Sequence, residues 1–161
     1  MDVADIFAAI EQSAFGAAAR EATWLYPLAN TAHIWALMTF AAVVAIMDLR
    51  ILGAFAAVPP APLMRGARLA AMLAFLALCL SGAVLFAGEA VKMGAHTLFR
   101  VKAVLIAGSL ANALLFEALW AKRVAALGAG APMPNGARIM AALSLALWLS
   151  VAAAGRLIAY F

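Results

Sequence analysis

LYPLANTAHIWALMTFAAVVAIM, residues 25–47, contains no acid, lysine or arginine. At about 1.5 Å of helix rise per residue it is long enough to cross roughly 30 Å of hydrocarbon. Three further stretches read the same way: Leu69–Ala87, Leu98–Ala121 and Ile139–Leu157. Arg100, Lys102, Asn112 and Glu117 interrupt the third, yet its two cations lie near its start, where long side chains snorkel to the interface. The whole chain agrees with these four segments. Of its 161 residues 69% are hydrophobic and 11% charged, with a mean hydropathy of +1.08, too little polar surface to cover a soluble domain.

The expected fold is all-α: a polytopic membrane protein built as an antiparallel four-transmembrane-helix bundle over residues 23–161, preceded by an interfacial amphipathic helix over residues 1–22. The N-terminal stretch MDVADIFAAIEQSAFGAAAR begins with acids, unlike a secretory signal. Its apolar residues Val3, Ile6, Phe7, Ile10, Ala14 and Ala17 recur at helical intervals, which predicts a helix lying in the interface. Trp24 and Tyr26 mark the headgroup level where the first span begins. AAVPPAPLMRGAR and GAGAPMPNGAR are read as turns on one side of the membrane, and GEAVKMGAH as a short loop on the other.

Counting cations at the span ends sets the orientation. Arg50, Arg65, Arg68, Lys122, Arg123 and Arg138 gather on one side. Arg20, Lys92, Arg100, Lys102 and Arg156 lie on the other, together with Asp2, Asp5, Glu11, Glu21 and Glu89. The first side is expected to be cytoplasmic and both termini periplasmic. Anionic membrane lipid at the cytoplasmic face then accounts for the net charge of +4 and the pI near 9.8, with no nucleic acid required. Cys79 is the only cysteine and sits inside the second span, where it reads as a packing residue.

PLMRGARLAAML (62–73) and PMPNGARIMAAL (132–143) align without gaps. With Asp48 and Arg50 matched loosely by Glu117, Lys122 and Arg123, this suggests two helical hairpins, 25–90 and 97–161, related as parallel repeats. Chance likeness between two Ala-rich helix starts is the other reading.

NTAHIWALM (30–38), DLRILG (48–53), SGAVLFAGEA (81–90), FRVK (99–102) and AGRLIAY (154–160), in this order, resemble a family of small bacterial integral membrane proteins of unknown function. The resemblance runs from about Trp24 to the C-terminus. It implies four spans in a bacterial inner membrane and carries no activity; its counterparts of His33, Asp48, Arg50 and Arg156 are the residues to test.

His33 is the first of these. It lies roughly 12 Å along the first span, below the headgroups, where ionisable residues face the bundle interior and find a partner. Asn30, one turn back, is placed to orient the ring. Either His33 binds haem or a metal or relays protons, or it makes an interhelical bond to a carbonyl or to a serine such as Ser81. His96 starts the third span on the same side, so His33 alone, with His96, or with Met93 is a candidate set for one non-covalent haem b. Covalent haem attachment is excluded by the absence of CxxCH. Met93, His96 and His33 also suit copper(I). Arg156 is a candidate for a haem propionate, a quinol or an ion pair with Glu89, and Trp35 and Trp148 are candidates to flank a cofactor.

Asp48 and Arg50 are two apart and do not face one another on a helix, so Asp48 is expected to pair with Arg138 or Arg68. Asn112 reads as interhelical glue, and Gly82, Gly108 and Ala111 permit the close approach that a bundle or homo-oligomer needs. No phosphate loop, GxSxG or HExxH is present. The sequence thus leads to a haem b electron-transfer protein working with quinol or with a periplasmic or membrane redox partner. The competing class is a transport, copper-handling or accessory subunit.

Overall fold

The computed structural model describes residues 2–160; Met1 and Phe161, the outer ends of the two expected segments, lie outside the described residues. Eight helices follow one another: α1 Val3–Gln12, α2 Ala14–Glu21, α3 Leu25–Leu52, α4 Pro60–Gly88, α5 Ala90–Ala95, α6 Thr97–Leu119, α7 Ala121–Ala125 and α8 Asn135–Leu157. Four of them, α3, α4, α6 and α8, are long and apolar enough to span a membrane. No strand occurs among the described residues.

Each helix boundary has a local cause. Asp2 caps α1 in a capping box with Asp5. The expected single N-terminal helix is broken at Ser13, whose hydroxyl accepts from the Gly16 amide at 3.1 Å and starts a second helix. α3 outruns the expected span by five residues and stops at Gly53, which takes φ 118°, with Gly53 N and Ala54 N both donating to Leu49 O. Such a left-handed cap is the natural place for glycine. α4 begins at Pro60, well before the expected Leu69. Pro60 and Pro62 fall in the first turn, where the missing N–H is not needed, so these prolines start the helix rather than delay it.

The spans pack as two antiparallel pairs, α3 with α4 and α6 with α8, joined where α3 meets α8. Alanines at the contacts, Ala36 on α3 and Ala71 and Ala74 on α4, bring the backbones close. One apolar cluster, Ile51, Met64, Val124, Ala137 and Ala141, closes the basic end of the bundle, the end away from the termini. A second joins Phe40, Val44, Ala71 and Ala74 with Phe75 and Trp148 at mid-bundle, where the Phe40 and Trp148 rings meet edge to face at 4.6 Å. The two proposed repeat glycines differ in setting. Gly66 faces open space, whereas a Cβ on Gly136 would run into the Trp120 ring.

α1 and α2 do not lie apart from the bundle. They fold over its terminal end, with Phe7 edge-on to Phe86 at 5.8 Å and tight against Gly94 of α5. Glu11 accepts from the Val91 amide at 2.8 Å. The outer surface of the spans is apolar, with Val104, Leu114 and Leu149 among the most exposed residues.

Candidate functional site

The α4–α6 seam is where the bundle is incompletely packed. A cavity of about 480 Å³ lies there in the basic half, walled by all four spans. α3 supplies Phe40, Val44, Met47, Asp48 and Ile51, which share one face by their three- and four-residue spacing. The other walls come from Met64, Arg68, Ala71, Met72 and Phe75 on α4, Asn112, Ala113, Phe116 and Glu117 on α6, and Met140, Ser144 and Trp148 on α8.

Asp48 is the polar centre of this groove. It is 7% exposed, its carboxylate interacts with Ser144, and its Oδ2 has no hydrogen-bond partner. The expected pairing with Arg68 or Arg138 is absent. Arg68 instead bridges the seam to Glu117, Nη2 to Oε2 at 2.8 Å, and Arg138 is exposed with no ion pair among the described residues. Arg50 is also not an ion-pair partner. Its side chain is 1% exposed, and it donates from Nε to Val58 O at 2.8 Å and from Nη2 to Ala56 O at 3.4 Å. The guanidinium thus neutralises carbonyls of the α3–α4 loop beside the negative end of the α3 dipole. DLRILG therefore combines three jobs: a carboxylate for the groove, a clamp for the loop and a glycine stop for the helix. Asn112 donates from Nδ2 to Met140 O at 3.1 Å and ties α6 to α8, the interhelical role read from the sequence.

The terminal half holds the histidines. His33 Nδ1 lies 2.9 Å from Ser81 Oγ on α4, the interhelical bond left open by the sequence. Ser81 has one hydroxyl proton, and its short 2.6 Å contact to Ala77 O claims it. This network, to which the Leu78 carbonyl also belongs, favours the tautomer with the proton on Nδ1, in which Nε2 is the ring's acceptor. Lys102 acts electrostatically on this ring, with its ammonium lying against Gly155 of α8.

The remaining candidates do not converge on His33. His96 caps α6 by accepting from Leu98 N at 3.2 Å, and its Nε2 is buried without a partner. The shallow cavity beside it is lined by Thr97, Leu98 and Leu157, not by His33. Arg156 folds onto the turn that follows α8, bonded to the Tyr160 hydroxyl with the guanidinium 4.6 Å from the ring centroid. Glu89, its expected partner, pairs with Lys92 at 3.6 Å. Asn30 and Trp35 point outward, Trp35 being 69% exposed, so neither orients nor flanks His33. Met93, half-buried on α5, makes no side-chain hydrogen bond among the described residues. No group of three His, Cys, Asp or Glu able to hold a metal occurs among the described residues.

Sequence reasoning identified Asp48 but missed the groove it serves. The signal was present in the spacing Phe40, Val44, Met47, Asp48, Ile51, which puts an acid on the same helix face as four large apolar residues. Ser144 and the Arg68–Glu117 bridge carry no such local signal. Comparison with protein-family models, curated proteins and solved structures gave no match to the chain.

Proposed function

We propose that the chain is a four-span bacterial inner-membrane protein, with both termini periplasmic, that admits a membrane-dissolved lipophile sideways into the α4–α6 groove. This is the transport or accessory class rather than the electron carrier. One observation carries the reading: a cavity of ligand size, about 480 Å³ and mostly apolar, opens at a seam where two spans fail to pack and contains a buried acid with an unused acceptor. Intramembrane ionisable groups of this kind mark substrate pathways. The positive-inside distribution of Arg50, Arg65, Arg68, Lys122, Arg123 and Arg138 supports the orientation, and the resemblance noted from the sequence supports the compartment.

The test is photolabelling in liposomes with a small neutral iodophenyl diazirine, which reacts wherever lipid-soluble molecules reach. Adducts are expected on Phe40, Val44 and Trp148, inside the groove, as well as on outward residues such as Leu114. Filling the groove with Ala113→Trp should remove the inner adducts and leave the outer ones. Adducts confined to outward residues in the native chain would refute the reading.

A second reading, haem b at His33 with electron transfer from quinol or another redox partner, or copper at the same ring, is favoured by the free Nε2 that the Ser81 bond leaves. The experiment is an absorption spectrum of haem-replete protein before and after dithionite, with metal analysis and a His33→Ala control. A Soret band lost in the variant supports haem. A featureless spectrum without bound copper refutes both ligands.

A further inference from the structure

We propose that the guest of the groove is a lipophilic organic monocation, its charge seated against Asp48 and its apolar body among Phe40, Phe75, Phe116 and Trp148. The inference rests on the lateral-groove reading above and names the substrate class.

The argument is one of charge balance. The groove is lined by two acids, Asp48 and Glu117, and one cation, Arg68. Arg68 is committed to Glu117, so Asp48 has no counter-charge in the groove. The other cations at this end are engaged or turned away. Arg50 is held by the carbonyls of Val58 and Ala56, Arg123 lies over the Trp120 ring at 5.8 Å, and Arg65, Lys122 and Arg138 are exposed. A buried carboxylate without a partner either takes up a proton or acquires a counter-charge that displaces it, and Oδ2 has no partner within the protein. A guest that brings its own positive charge completes the site.

The walls match the same chemistry. Aromatic rings attract a cation through their quadrupole, most strongly where water is excluded, and Phe40, Phe75, Phe116 and Trp148 line the cavity. Met47, Met64, Met72 and Met140 surround them. Their flexible, polarisable thioethers adapt to guests of different outline. An anion would meet Asp48 directly, and a neutral lipophile would leave it unpaired.

The experiment uses the full chain in liposomes and two probes of nearly the same shape and opposite charge, tetraphenylphosphonium and tetraphenylborate. Each is titrated against diazirine labelling of Phe40, Val44 and Trp148. Tetraphenylphosphonium is expected to protect these residues and tetraphenylborate not to. Asp48→Asn should need on the order of thirtyfold more cation for the same protection, while Asp48→Glu retains the charge preference. Unchanged diazirine labelling of Asp48→Asn without either ion shows that its groove is intact. Equal protection by both ions, or an Asp48→Asn response equal to that of the native chain, overturns the cation inference and leaves the lateral groove standing. Inner residues that are unlabelled even without ions overturn the groove reading and the inference together.

Discussion

Replacing Asp48 with leucine should make the protein more stable while destroying the proposed site. Asp48 is 7% exposed and one of its carboxylate oxygens has no partner. An unsatisfied buried polar group costs about 1–3 kcal/mol. The substitution also removes the interaction with Ser144, and an interhelical hydrogen bond inside a membrane bundle is worth about 0.6 kcal/mol on average. The difference is a net gain of about 0.4–2.4 kcal/mol, or roughly twofold to sixtyfold in the folding equilibrium. Leucine is similar in volume and faces Phe40, Met47 and Trp148, which line the same cavity. The assay is reversible unfolding in mixed micelles with increasing dodecyl sulfate, followed by helical circular dichroism, with Asp48→Asn as the polar control. A loss of more than about 1 kcal/mol in Asp48→Leu would refute the reasoning, because the carboxylate would then have a stabilising partner.

The same unfolding assay checks three other expectations. A double-mutant cycle between His33→Ala and Ser81→Ala should give a coupling of about 0.6 kcal/mol, with about 1.7 as the ceiling for such bonds; zero coupling would contradict the contact. Arg50→Met should cost about 1.5–3 kcal/mol by stranding the Val58 and Ala56 carbonyls, and protease cutting in the 53–59 loop should rise with it. Gly136→Ala should cost about 1–3 kcal/mol through overpacking on Trp120, and Trp120→Leu should restore most of that loss in the double variant.

Hydropathy made the four spans legible, because lipid imposes one requirement on every residue of a crossing segment. Helix ends were less so. Pro60 and Pro62 read as a turn when judged by proline alone, but the first helical turn tolerates them. Ser13, a strong N-cap, was passed over within a periodic apolar pattern and split one expected helix into α1 and α2. The polar residues show a sharper limit. That Asp48 stands at the end of the first span followed from the sequence; that it is buried without a cation did not. That Arg68 takes Glu117 depends on which helices are neighbours across the seam. His33 was the easier case, since Ser81 lies on the helix that a short loop must return beside it.

The Arg68–Glu117 bridge has side chains 39% and 57% exposed, and such a pair contributes about 0–1 kcal/mol, comparable with thermal energy. The two hairpins are anchored to each other along the α3–α8 contact, with α4 also meeting α7 at the basic end, and the ion pair is the polar link across the α4–α6 edge. Rising ionic strength at the basic face is therefore expected to weaken this bridge and to leave the apolar clusters as they are.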